Sequence, residues 1–115
     1  MAIRGPLGRT GRGRLVVDSG SNVTILDSGF AASIDLTADR ASGSSRIRGP
    51  TGPNLGYRVV VPSVGVLGRI LADHEVRVHD LEEKLEIDGL IGMDVLGQGK
   101  LILDTLEHTV EFHWK

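Results

Sequence analysis

The chain has 115 residues, 40% of them hydrophobic and 24% charged, with a formal net charge of -2. That length supports one hydrophobic core, so residues 1–115 are expected to form a single domain. A mean hydropathy of +0.01 is that of a soluble globular chain, and no apolar run approaches the length of a membrane-spanning helix. Cysteine is absent, which excludes disulfides, a thiolate nucleophile and cysteine-ligated zinc. A pI near 6.0 and 3% aromatic residues argue against a nucleic-acid partner, which needs a basic face and stacking platforms. Sixteen glycines among many Val, Ile and Leu residues point to a turn-rich β protein.

At the N-terminus Arg4, Arg9, Arg12 and Arg14 are interspersed with glycines, and no apolar stretch follows them. The segment is therefore expected to be a solvated loop face and not a signal peptide; without cysteine, the expected location is cytoplasmic. Charge is uneven: residues 73–94 hold eight acids against Arg77 and Lys84. Arg14 to Val17 and Val23 to Leu26 have the apolar, β-branched character of two short buried strands. Between them, Asp18 to Asn22 is a run of small polar residues of the kind that bond their own backbone in turns. Asp27 or Ser28 is placed to cap a short helix through Phe30–Ile34.

Ser44–Arg48 and Tyr57–Val61 are expected to form the arms of a hairpin whose tip holds Gly49, Pro50, Gly52 and Pro53. Gly65 and Gly68 mark a second turn. From Ile70 to Leu81 the chain alternates, with Val76 and Val78 on one face and Arg77 and His79 on the other. Leu81 to Glu86 is an acidic loop. Ile87, Leu90 and Ile91 form an apolar stretch, and Met93–Leu96 has the length of one helical turn stopped by glycines. Leu101–Leu103 and Thr109–Trp114 pair as a terminal hairpin.

Two blocks stand out: Leu15-Val-Val-Asp18-Ser19-Gly20-Ser21-Asn22-Val-Thr-Ile-Leu26, and about seventy residues later Asp88-Gly-Leu90-Ile91-Gly92-Met93-Asp94-Val-Leu96. A carboxylate at the tip of a turn between two buried strands is held rigidly while facing a cleft. Gly20 permits a tight turn behind it, and the Ser19 hydroxyl can lock that turn. One carboxylate cannot hydrolyse an amide alone, because water must be deprotonated while the carbonyl oxygen is protonated. Two adjacent carboxylates sharing a proton supply both functions, because like charges so close cannot both ionise easily.

The paired blocks resemble the retropepsin-like aspartic proteases over roughly residues 14–112, in the family's order of triplet, short helix, flap hairpin, long hairpin, apolar-apolar-Gly and terminal hairpin. The resemblance implies an all-β, closed-barrel fold with one or two short helices. It implies aspartic endopeptidase activity on an extended peptide or protein, with Asp18 catalytic. One triplet per chain then requires a homodimer, whose second Asp18 completes the dyad. By the same resemblance, Ser19 bonds across the dimer and Gly20 lies on the substrate wall. Leu90, Ile91 and Gly92 support the active-site loop, and Asp94 pins the short helix. Residues 46–58 form a flap, with Arg48, Gly49, Pro50, Thr51, Gly52 and Pro53 over the substrate. No cofactor, metal, nucleic acid or membrane is implied. The sequence departs from the family in its proline-bearing flap tip and in having only seventeen residues before Asp18. Residues 109–115 are accordingly expected to carry more of the dimer contact. These departures leave a second class of function open, a peptide-binding module without hydrolysis.

Other constellations have simpler readings. Asp27-Ser28-Gly29 repeats the triplet's spelling but sits where a helix cap is expected. His74 and His79 are five apart, so on a strand they point to opposite faces and do not form a helical metal pair. His108 and His113 are expected at the surface, and Trp114 is expected to pack near the dimer edge. No histidine and acid are placed to activate a serine nucleophile. Gly65-Val-Leu-Gly68 lacks the following helix of a phosphate loop.

Overall fold

In the computed structural model, which describes residues 1–49 and 52–115, the arginine-rich N-terminus is a hairpin and not a loop. Strand β1 (Ala2–Arg4) pairs with β2 (Thr10–Arg12), and its other edge pairs with Ser63–Gly65. Ile3 is fully buried while the four arginines remain exposed. Three-residue strands are too short to display alternation in the sequence, which is why the segment has the look of a solvated loop.

Next come β3 (Leu15–Val17), β4 (Ile25–Asp27) and α1 (Ser28–Ser33). The cap is Asp27: its Oδ2 accepts from the Gly29 N–H at 3.1 Å, and its Oδ1 accepts from the Leu81 N–H at 3.0 Å. The second triplet is thus a helix cap that also anchors the chain leaving the long hairpin. A 3-10 turn at Ala38–Arg40 precedes β5 (Gly43–Gly49), β6 (Gly52–Val66) and β7 (Arg69–His79). The expected tip residues Pro50 and Thr51 lie outside the described residues. The β6–β7 turn is Leu67-Gly68, both with positive φ, whereas Gly65 stays within the strand opposite Ile70. After a 3-10 turn at Glu83–Leu85 come β8 (Gly89–Ile91), α2 (Met93–Leu96), β9 (Gly99–Asp104) and β10 (Thr109–Trp114).

Eight strands make one curled sheet in the order β2-β1-β6-β7-β4-β8-β3, with β5 pairing the far part of β6. The path is open, with β2 and β3 at its ends. The architecture is therefore a half-barrel and not the closed barrel expected from the sequence. Among the described residues no ladder joins β2 to β3, so the curl stays open between them. Strands β9 and β10 form a separate two-stranded sheet.

Alternation along the strands divides the large sheet into two faces. Leu26, Val59, Val61, Val76, Val78 and Ile91 form the core face and pack with Ile3, Ala31, Ile34, Leu36, Val95 and Leu96. Each such side chain contributes about 1.5–3 kcal/mol relative to an exposed one. The other face carries, in register across five strands, Val16, Leu90, Ile25, Arg77 and Arg58. The small terminal sheet is tied down through Trp114, whose indole N–H donates to the Leu67 carbonyl at 2.8 Å. The Arg69 guanidinium stacks on the same ring, 4.6 Å from its centroid. Trp114 is thus a packing residue at the β6–β7 turn.

Replacing Asp27 with Ala removes the cap and the Leu81 bond together. Urea denaturation is expected to show a loss of about 1–2 kcal/mol. Asp18→Asn, at the same spelling but outside any cap, should leave the midpoint nearly unchanged.

Candidate active site

The site is built where two loops cross. The β3–β8 ladder runs one bond beyond its strands, from the Asp18 N–H to the Ile91 carbonyl at 2.9 Å. Alternation from Val17, on the core face, puts Asp18 on the opposite face with Val16. Asp18 is half-buried, and its Oδ1 accepts the Gly20 N–H at 2.9 Å. Gly20 does not adopt left-handed backbone. Its role is closeness, since a Cβ there would stand 3.2 Å from the Asp18 Oδ1. The turn is closed by Ser21, whose N–H donates to the Asp18 carbonyl at 3.1 Å and whose hydroxyl donates to the Val23 carbonyl at 2.7 Å. Ser19 was the residue expected to lock this turn. Its side chain is exposed and makes no hydrogen bond within the chain among the described residues.

The second loop supports the first from behind, and most of the contact is backbone. The Met93 N–H donates to the Ser21 carbonyl at 2.7 Å, and the Asp94 N–H to the Asn22 carbonyl at 3.1 Å. Approach this close requires Gly92: a Cβ would lie 2.3 Å from the Val23 carbonyl oxygen. Leu90 adds a side chain to the face that Asp18 shares, while Ile91 points into the core. The structure therefore brings Asp18, Ser19 and Gly20 together with Leu90, Ile91, Gly92 and Asp94.

Thr24, fully buried inside an apolar run, is the hub that sequence reasoning passed over. Its Oγ1 accepts the Gly92 N–H at 3.2 Å and donates to Asp94 Oδ1 at 2.8 Å. Asp94 Oδ1 also accepts the Val95 N–H at 3.0 Å, and His74 Nε2 donates to Oδ2 at 2.8 Å. Asp94 thus pins α2, and it ties that helix to β4 and β7 as well. Burial opposes its charge, but the bonds from His74 and Thr24 outweigh burial and hold the carboxyl below its ordinary value.

A second polar cluster sits at the base of the β5–β6 hairpin. His79 is 1% exposed, on the face of β7 that it shares with Arg77. Its Nδ1–H donates to Asn54 Oδ1 at 2.9 Å, and its Nε2 is hydrogen-bonded to the Ser45 hydroxyl at 2.8 Å. The Asn54 amide is oriented by its own NH2, which donates to the Asp80 carbonyl at 3.2 Å. The imidazole clamps both arms of the hairpin to the end of β7. Burial, and then the neighbouring Arg77, lower its pKa against a smaller opposing effect of Asp80. The expected flap residues lie farther out on the same hairpin. Arg48 is opposite Pro53, and Gly49 opposite Gly52, which has φ +117. No hydrogen bond joins the described tip residues to the Asp18 turn. Sequence alternation does show His79 facing away from the core; what it lacks is the hairpin that covers it.

Asp94→Ala should lower stability by about 2–3 kcal/mol at neutral pH, since it leaves Thr24, His74 and the Val95 N–H short of an acceptor. The depressed pKa fixes the sign with pH. The contribution is full above the unfolded carboxyl value, about 3.9, and is lost as pH falls through the lower folded value. Thermal melts of wild type and variant should therefore converge in acid; a gap that stays constant into acid refutes the charged-state role.

Comparison with known proteins agrees with this geometry. A family model described as aspartyl protease matches residues 4–95. Among solved structures, the chain is similar to a retropepsin-like aspartic protease from Rickettsia conorii, with a TM-score of 0.65 and 19% identity over 98% of this chain and 97% of that one. At that identity the likeness speaks for the fold. A search of curated proteins gives no match. The matched span runs from β1 through the Asp18 turn and into α2, and the chain belongs to the aspartyl protease family, with a retropepsin-like fold.

Proposed function

We propose that the protein is an aspartic endopeptidase that hydrolyses extended peptides through a water held between Asp18 and the Asp18 of a second copy. The observation that carries this reading is the placement of Asp18: a half-buried carboxylate on the non-core face, fixed by backbone at the crossing of two loops. In this chemistry one carboxylate takes a proton from water as its oxygen attacks the carbonyl carbon. The other carboxyl donates its proton to the carbonyl oxygen. The resulting tetrahedral diol collapses with breakage of the C–N bond, and a proton passes to the leaving amine. A substrate in extended form supplies main-chain bonds for strand-like docking beneath the β5–β6 hairpin, which serves as the flap. Arg48, Gly49, Gly52 and Pro53 are the outermost described residues of that hairpin.

A homodimer is favoured by the position of β3 at the end of the sheet path, which leaves the Asp18 strand open to a partner. Val16 is 46% exposed and Met93 42% exposed beside it. The unbonded Ser19 hydroxyl is available to bond across the interface. The β9–β10 sheet adds exposed Leu103, Leu106 and Val110, with exposures of 62%, 89% and 56%. Leu103 and Val110 are directly opposite each other in that hairpin, and exposed apolar pairs of this kind suit an interaction face. The second reading, a peptide-binding module on the same dimer, is favoured by Pro53, which stiffens the flap arm next to its tip.

Incubation with mixed peptides from acidic to neutral pH should give cleavage by wild type. Asp18→Asn should cut at least a thousandfold more slowly while keeping its melting temperature, because in a homodimer the substitution replaces both carboxylates of the dyad at once. Cleavage that survives in Asp18→Asn sinks the assignment. Binding without cleavage by the wild type favours the module. Analytical ultracentrifugation should find a dimer, and Leu103→Asp with Val110→Asp should shift it to monomer and reduce cleavage in parallel. Full activity from that monomer refutes the shared site.

A further inference from the structure

We propose that Arg77, with Arg58 beside it, forms a subsite that takes an acidic side chain, Glu or Asp, of the bound peptide. The inference rests on the protease reading and adds the class of substrate. Its first support is register. Val16, Leu90, Ile25, Arg77 and Arg58 form one row across β3, β8, β4, β7 and β6, on the face that Asp18 shares. Three strand spacings separate β3 from β7, roughly 14 Å along the sheet and less across its curl. An extended peptide advances about 3.3 Å per residue. A side chain two to four residues from the scissile bond therefore reaches the guanidinium.

The second support is electrostatic. Arg58 and Arg77 are directly opposite each other on adjacent strands, a like-charge pair that is unfavourable without an anion. Among the described residues neither has a carboxylate within ion-pair distance. Arg77 spends one N–H on a neutral group, the Ser45 hydroxyl at 3.1 Å. The Arg58 Nε is buried with no hydrogen-bond partner. Gly43 is what makes room for this second guanidinium, since a Cβ there would lie 2.1 Å from its Nη2. The acids on the surrounding strands are engaged elsewhere. Glu75 accepts from the Ser42 hydroxyl, Asp80 from Ser28, and Asp27 from the Gly29 and Leu81 N–H groups. His79, on the same face, is committed to Asn54 and Ser45. A planar donor fork with unspent N–H groups beside a peptide track is suited to a carboxylate.

The test takes peptides that the wild type cleaves and places Glu, Gln or Lys in turn at each of the four positions on either side of the cut, assayed near pH 6. One position should show kcat/KM at least tenfold higher for Glu than for Gln. The ratio should fall toward one as the pH drops below the carboxyl value of about 4.3. In Arg77→Gln the Glu:Gln ratio should collapse, and in Arg77→Glu the preference should pass to Lys. A merely structural arginine would change rates without exchanging the preferred charge. If Arg77→Glu does not fold, the Arg77→Gln ratio and the wild-type pH dependence decide. A ratio near one at every position in the wild type overturns the proposal, as does a Glu preference that persists in Arg77→Gln. If the wild type cleaves nothing, the protease reading fails separately. The subsite is then decided by fluorescence anisotropy of labelled decapeptide pools with one fixed Glu or Gln. Equal binding of the two overturns it, and tighter binding of the Glu pool that is lost in Arg77→Gln supports it.

Discussion

The arrangement depends on two loops that cross with almost no side chain between them. The Asp18–Asn22 turn and the Gly92–Asp94 segment exchange backbone bonds directly, Met93 N–H to Ser21 and Asp94 N–H to Asn22. Only a glycine at position 92 permits that approach. A carboxylate on a turn that ended in solvent would sample many orientations. Here the turn is a continuation of a sheet ladder, backed by a second strand and a helical turn, so the backbone that carries Asp18 is held in one geometry.

The buried polar groups extend that rigidity outward. Thr24 links the two loops, and Asp94 passes the link to β7 through His74. Five residues along the same strand, His79 faces the other way and holds both arms of the β5–β6 hairpin. Strand β7 therefore connects the back of the Asp18 and Gly92 loops on its core face with the base of the β5–β6 hairpin on its other face. Each bond lies in a setting where an unmet partner is costly, so the network favours one geometry over its neighbours.

Two triplets of identical spelling show how far context decides chemistry. Asp27 has both carboxylate oxygens committed to backbone N–H groups, one in its own helix and one from the exit of β7. Asp18 has one oxygen bonded, to Gly20, and faces away from the core. The first aspartate closes a structure, and the second remains available for chemistry. The same contrast separates Ser19 from Ser21: the expected lock of the turn is the exposed Ser19, while Ser21 forms the bonds.

The sequence alone determined the strands, turns and short helices that carry strong local signals. The β-branched run before Asp18, the alternation of Val76 and Val78, the Asp27 cap and the single helical turn at Met93–Leu96 all follow from local periodicity and capping chemistry. The tertiary structure decided what depends on distant segments. Ile3 is buried because β1 finds an edge of β6 sixty residues away, an association invisible in a three-residue strand. Thr24 is a hub because the chain returns with Gly92 and Asp94. His79 is buried because the hairpin bearing Ser45 and Asn54 folds over it. Arg58 and Arg77 meet only through the β6–β7 register. Local propensity is written in neighbouring residues, whereas burial, pairing and charge proximity are set by contacts between residues far apart in the chain, and those exist only once the sheet has formed.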